Sequence, residues 1–556
     1  MSYLQKWSCV IKSLRFSPWQ LAIIIIAFLF ALPLLTVFSF VFEPVNDNWQ
    51  HLVNTVLSRY VNNSLWLMLG VAVGSLIIGV SSAWLTSMCE FPGRKWFEWS
   101  LLLPLAMPAY IIAYTYTGLL DFAGPVQTTI RDTFGWRYGD YWFPEIRSLG
   151  GAITMLSLVL YPYIYLLARA AFLQQSTCVL EVSRSLGNGA WRTFFQVALP
   201  LARPAIIAGL SLVLMETLAD YGTVQYFGVD TFTTGIFRTW FGLDDVSTAA
   251  QLAALLMVFV FALILLERGS RRQARYDHTS NRHGELPRYQ LHGIKALIAW
   301  FSCFLPLFLG FLLPSGQLSV WAWQTYEHMV DAQFLQLVTN TLLLAGLTAF
   351  IALLLALFMA YGKRLYPVWL VRSAVRLAAL GYAVPGTVIA VGVIIPLAVI
   401  DNSIDGWFRA YFNMSTGLLF SGTLVALVFA YLVRFLAVSI QTVEAGLDKI
   451  KPSMGEAARS LGYRPSEILR RIHIPILRGS LLTAILLVFV DVMKELPATL
   501  ILRPFNFNTL AVRAYELASD ERLADASTAA LAIVLAGIIP VILLSISIAQ
   551  SRKRHE

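Results

Sequence analysis

Ten stretches of about 20 residues or more carry no Asp, Glu, Lys or Arg, and they constrain the fold more than any other feature of the chain. They lie at residues 21–42, 63–88, 99–120, 148–168, 247–266, 296–326, 332–362, 377–400, 410–433 and 526–551. A hydrocarbon layer roughly 30 Å thick is crossed by about 20 apolar residues in a helix. Only 13% of the 556 residues are charged, against about 25% in an ordinary soluble domain. With 58% hydrophobic residues and a mean hydropathy of +0.67, a water-soluble enzyme of this size is excluded. Two further apolar stretches, 204–227 and 479–502, are interrupted by charges. Counting them, the chain reads as an all-α polytopic membrane protein of twelve transmembrane helices in two sets of six.

Cys9, Cys89, Cys178 and Cys303 form no close-spaced set, which points to neither a disulfide framework nor a thiolate zinc site. No polar segment is long enough for a separate catalytic or ATP-hydrolysing domain. Lys6, Lys12 and Arg15 precede the first apolar run as in a signal peptide, but the run is span-length and no small-residue cleavage site follows, so it is read as the first helix. Basic residues are retained on the cytoplasmic side during insertion. With both termini inside, 31 of the 41 fall on cytoplasmic segments, 9 outside and Lys494 within a span. The net charge of +9 therefore follows from topology, and no nucleic-acid partner is needed to explain it.

The sequence repeats. Arg184-Ser185-Leu186-Gly187 recurs as Arg459-Ser460-Leu461-Gly462, 275 residues later. At the same displacement Glu181 meets Glu456, Pro200 meets Pro475, Arg203 meets Arg478, Glu216 meets Asp491 and Asp220 meets Glu495. Asn63 meets Asn340 and Pro108 meets Pro385 at 277. The expected organisation is a first six-helix repeat over 1–267, a cytoplasmic linker over 268–292 and a second repeat over 293–556. Because each copy has an even number of spans, both have one orientation and can flank a path along the membrane normal. His278, His283 and His292 in the linker lack the spacing of a metal set.

Between the fourth and fifth spans of each half, about 176–200 and 444–475, lies a loop with a fixed grammar. The first reads Glu181-Val182-Ser183-Arg184-Ser185-Leu186-Gly187, nine residues, then Val197-Ala198-Leu199-Pro200. The second reads Glu456-Ala457-Ala458-Arg459-Ser460-Leu461-Gly462, nine residues, then Ile472-His473-Ile474-Pro475. Each pattern predicts a short surface helix stopped by glycine, where left-handed backbone is cheap, and a second helical piece ending at the proline that opens the next span. Leu186 and Leu461 supply apolar contact, and Glu181, Glu456, Arg184 and Arg459 supply polar contact to a partner. These strings resemble the EAA loop of permease subunits of ATP-binding-cassette importers. In that family the loop docks into a cleft on the ATP-hydrolysing subunit. Gly362-Lys363 lacks the upstream glycine of a phosphate-binding loop, so ATP is expected to be used by partner subunits, as two copies of one cytoplasmic protein.

Ionisable groups at bilayer depth cost about 2.5 kcal/mol or more, so Glu216, Asp220, Asp491, Lys494 and Glu495 need partners or water. Asp491 and Lys494 can pair across one helical turn. Two readings stand: the acids line a path and attract a cation, or they stabilise helix ends and pair with arginines. Gly222 and Pro497 predict a break in each fifth span. Tyr110 and Tyr114 are candidates for the same path, as phenolate oxygen suits a hard cation, with packing as the alternative.

The resemblance covers almost the whole chain and is strongest to the fused, double-length permeases of ferric iron importers. The strings carrying it are Cys89-Glu90-Phe91-Pro92-Gly93-Arg94-Lys95, Leu103-Pro104-Leu105-Ala106-Met107-Pro108-Ala109-Tyr110, Tyr226-Phe227-Gly228-Val229, Thr233-Thr234-Gly235-Ile236-Phe237-Arg238 and Met493-Lys494-Glu495-Leu496-Pro497-Ala498-Thr499. It implies two tandem MetI-like repeats in the bacterial inner membrane, no bound cofactor, and a periplasmic ferric-iron-binding protein as partner. Permeases for thiamine, polyamines or phosphonates share the loop, and a gradient-driven secondary transporter shares the six-plus-six plan.

Overall fold

The computed structural model describes residues 17–137, 139–175, 183, 185–187, 189–272 and 288–553. Among the described residues eleven helices are long and apolar enough to cross a membrane, and a bent pair, taken as one span, makes a twelfth. The first six are α1 (Pro18–Phe42), α2 (Leu57–Met88), α3 (Arg94–Ala106 plus Ala109–Phe134, bent by 91°), α4 (Leu149–Leu173), α5 (Ala190–Ala219) and α6 (Val246–Glu267). The second six are α7 (Ile294–Met329), α8 (Ala332–Leu365), α9 (Gly386–Phe412), α10 (Leu424–Asp448), α11 (Pro465–Met493) and α12 (Leu523–Leu543).

Local chemistry sets the helix starts. The Ser17 side chain accepts from Trp19 N while Gln20 reaches back to Ser17 N at 2.9 Å, with Pro18 opening α1. Ser148 caps α4 through Gly151 N at 3.1 Å, and Thr423 caps α10. The repeat is visible in the breaks. The chain leaves helical geometry at Met107–Pro108 inside α3 and at Val384–Pro385 just before α9, so the apolar run 377–400 is two pieces.

Three expectations are corrected. The run 410–433 is not a span: residues 410–412 finish α9, and α10 starts only at Leu424. Between them Asn413, Gly417 and Gly422 adopt positive φ, and the Asp401 carboxylate accepts the amides of Leu419, Phe420 and Ser421. Absence of charge marked this segment as apolar, whereas its backbone is a turn built on a buried acid. Second, Pro200 and Pro475 do not end helical pieces, because α5 and α11 run through them. A widened π-type turn at Phe194–Ala198 and at Leu469–His473 precedes each proline and absorbs its missing donor. Third, Arg169 and Arg434, counted with the cytoplasmic charges, lie inside helices and are buried.

Packing divides the molecule differently from the repeat. One compact unit joins Thr341–Phe507 to the N-terminal residues through Phe40, and the other joins Val41–Asn340 to Asn508–Glu556. So α1 packs with second-half helices. Trp19 stacks on Phe358 at 4.7 Å and donates to its carbonyl at 3.2 Å, and Phe30 meets Phe429 edge-on. In the other unit α12 lies along α7, where Thr325 bonds Ala524 O at 3.3 Å. There too the end of the linker pairs with the end of α2: a parallel two-residue ladder joins Cys89–Glu90 to Tyr289–Gln290, and Arg288 faces Glu90 at 3.3 Å.

Candidate functional site: surface helices and broken spans

The second loop forms a helix over Pro452–Ser460, with proline at its first position. It ends as expected. Gly462 takes φ +87°, its N–H reaches Arg459 O at 2.9 Å, and Tyr463 N reaches Ala458 O at 3.1 Å. Gly455 and Ala458, three residues apart, are buried, while Glu456, Ala457, Arg459, Leu461 and Gly462 are exposed. The helix therefore has one face on the protein and one free. A Cβ on Gly455 would lie 3.9 Å from His473 Nε2, and the segments flanking the helix are held at the end of α8. Tyr361 donates to Pro465 O at 2.9 Å and meets His473 edge-on, Lys363 pairs with Glu444 at 2.7 Å, and Arg364 donates to Leu447 O and Ile450 O. Lys363 of the Gly362-Lys363 dipeptide thus ties α8 to α10.

In the first loop Glu181 and Arg184 lie outside the described residues. Ser183 shares a hydrogen with Thr193 at 3.0 Å, and Gly187 has φ +80°. The two copies agree where it matters most: Leu186 is 74% exposed and Leu461 is 78% exposed. A leucine held outward by a left-handed glycine, twice, is an apolar contact without an internal partner.

The broken spans supply the second constellation. After α5 the backbone turns extended at Asp220 and restarts over Gly222–Tyr226. The Asp220 carboxylate caps that restart, accepting Thr223 N at 3.1 Å, Val224 N at 3.2 Å and Thr223 Oγ1 at 3.0 Å. After α11 the chain restarts over Pro497–Leu502, and Glu495 Oε1 accepts Ala498 N at 3.2 Å. Here a cation joins: Arg434 of α10 meets Glu495 at 2.8 Å, both nearly water-free. A Cβ on Gly386 would lie 2.3 Å from Arg434 and 2.4 Å from Glu495, so the α9 start must be glycine for the pair to close. Tyr431 and Thr499, at 2.6 Å, extend the network to Glu495 O.

The sequence candidates thus separate into groups. Asp491 and Lys494 pair at 2.9 Å beside Glu495 in one compact unit. Glu216, Asp220, Tyr110 and Tyr114 belong to the other. Tyr110 and Tyr114 are buried in the Ala109–Leu120 helix, and the Tyr114 hydroxyl has no hydrogen-bond partner among the described residues. Among those residues no three His, Cys, Asp or Glu side chains are gathered as a metal site would require.

Sequence reasoning missed Arg434 and Arg169. Arg169 is held by Glu98 at 2.6 Å, and Glu98 also meets Arg94. The signal was present: apolar sequence continues for several residues beyond each arginine, so each interrupts a helix and does not end it. The Asn repeat also gains a meaning. Asn63 donates to Asp230 O at 2.9 Å and Asn340 to Asn508 O at 3.2 Å, so each pins the chain that follows a broken span.

One family profile, described as the binding-protein-dependent transport system inner membrane component, matches residues 75–268 and again 352–555. The chain belongs to this family. It is accordingly a multi-pass inner membrane transport component carrying the family domain twice. It is 28% identical over 541 residues to the Fe(3+)-transport system permease protein FbpB 2 of Haemophilus influenzae, covering 95% of this chain and 98% of that one. It is 26% identical to the putative ferric transport system permease protein FbpB 1 of the same organism, over 81% of this chain and 71% of that one. The molybdenum transport system permease protein ModB of Escherichia coli K12 is 29% identical over 28% of this chain and 64% of its own length.

Proposed function

We propose that this chain is a membrane-spanning permease subunit of an ATP-binding-cassette importer for ferric iron. A full-length likeness to an Fe(3+)-transport permease supports the cargo, and the repeated outward leucine supports the coupling. In this reading two copies of a cytoplasmic ATP-binding subunit seat on the two surface helices, one per repeat, and a periplasmic binding protein delivers the ion to the outer face. Both termini are cytoplasmic. ATP is hydrolysed by the partners, and the chain contributes movement and a path.

The surface helix buries Gly455 and Ala458, and the residues on either side of it, Ile450 and Pro465, are bonded to Arg364 and Tyr361 at the end of α8, so a push on Leu461 is passed to that span through its flanks. Partners at either face shift the balance between inward and outward openings only by binding one state better. Glu216, Asp220, Asp491, Lys494, Glu495, Tyr110 and Tyr114 are the path candidates. Asp220 and Glu495 also cap the restarts, so the two readings of these acids converge on one place in each half.

Cells with and without the chain, supplied with labelled ferric iron, labelled thiamine or labelled phosphonate, test the cargo. Selective loss of iron uptake is expected. Loss of another solute with iron uptake intact would overturn it, and transport by the purified chain alone on an ion gradient would place it among secondary transporters.

A further inference from the structure

A cleft of about 150 Å³ lies between the first turns of α8 and α12 and the helix Leu510–Ser519, all within one compact unit. Its lining includes His328, Asp331, Arg513, Arg522, Asp525 and Thr528. Two of its acids are already committed: Asp525 pairs with Arg522 at 2.7 Å, and Asp331 accepts Phe334 N at 2.8 Å at the start of α8. Arg513 has no hydrogen-bond or ion-pair partner for its guanidinium among the described residues, and the buried Thr528 Oγ1 likewise has none.

The repeat explains why. Arg513 stands 275 residues after Arg238. Arg238 is neutralised by Asp230 at 2.9 Å, and Asp230 also meets Arg59 at 3.3 Å. At that displacement the position matching Asp230 in the second half is Phe505, which carries no charge. One half spends its arginine internally, and the other leaves it facing a cleft. The positive ends of two helices border the same space.

We propose that this cleft binds one oxyanionic group, a carboxylate or phosphate, with Arg513 as the charged donor and Thr528 as the second. The space suits a single such group, either a free anion or an acidic side chain presented by the docking protein. In the topology proposed above, the α7–α8 turn puts it on the outer face.

The full chain in lipid nanodiscs is heated with inorganic phosphate or acetate, with chloride at equal ionic strength as control. A saturable rise in unfolding temperature is expected for the wild type and for R238Q. In R513Q the affinity should be about ten- to a hundredfold weaker, the worth of one charge-assisted hydrogen bond, with R513K restoring part of it. A second arm measures capture of the cognate binding protein in phosphate-free buffer: if the group arrives on that protein, R513E weakens capture and T528V does so less. Phosphate and acetate acting no differently from chloride, together with R513E capturing the binding protein as the wild type does, would overturn the proposal. Anion binding is read without transport, so a failure of the iron assignment would leave this result standing.

Discussion

The Arg434–Glu495 pair shows what a single residue contributes here. Both groups are out of water, so removing either one strands a charge, at a cost of about 3–5 kcal/mol. Thermal unfolding should therefore show R434M and E495Q each strongly destabilised and R434M/E495L much less so. A double variant as poor as the worse single one would mean that the pair is not the unit. Asp245 gives a pH prediction. Burial alone would raise its pKa, but hydrogen bonds from Thr248, Asn48 and Asn46 outweigh that and hold it below the usual carboxylate value. A depressed folded pKa means stability that is full above the unfolded value near 3.9 and is lost as pH falls through the folded one. The stability difference between wild type and D245N should be constant above about pH 5 and shrink below about pH 4; a difference that grew on acidification would contradict it. The Asp491–Lys494 pair was legible from spacing alone. Glu495's partner, 61 residues away in sequence, was not, because nothing local marks a contact between spans.

Elements were legible wherever a breaker residue sits at the break. Gly222 and Pro497 mark the interruptions after α5 and α11, and Pro108 and Pro385 mark those in and before the third span of each half. The turn between α9 and α10 was not, since its residues are uncharged and its organiser, Asp401, lies inside the preceding helix. That side chain is 1% exposed and also accepts from Ser421 Oγ at 2.5 Å. D401A should leave several amides unsatisfied, at about 1–3 kcal/mol for each buried one, and speed hydrogen exchange at residues 419–421 without loosening α10 beyond its first turn. Unchanged exchange there would show that the turn holds without its acid.

At the scale of the molecule, the repeat announced six spans twice, and the structure has them. It did not announce that α1 would join the unit built from second-half helices. An end helix apolar on every side has no sequence-visible face, and only packing such as that of Trp19 on Phe358 chooses its neighbour. The second surface helix was legible because glycine, leucine and gap length recur together in the two loops. The central proposal concerns the function of the two loops: that Leu186 and Leu461 carry force from ATP-hydrolysing partners into the spans. Burying a leucine is worth about 1.5–3 kcal/mol, so each loss should weaken the partner's grip about tenfold or more. The decisive measurement is ATP-driven iron flux in proteoliposomes holding the chain, its ATP-binding subunits and its binding protein, for wild type, L186D, L461D and the double variant. Because both leucines point into solvent, unfolding temperatures should be unchanged, each single variant should be slowed, and the double variant should not transport; a double variant with wild-type flux would contradict the account.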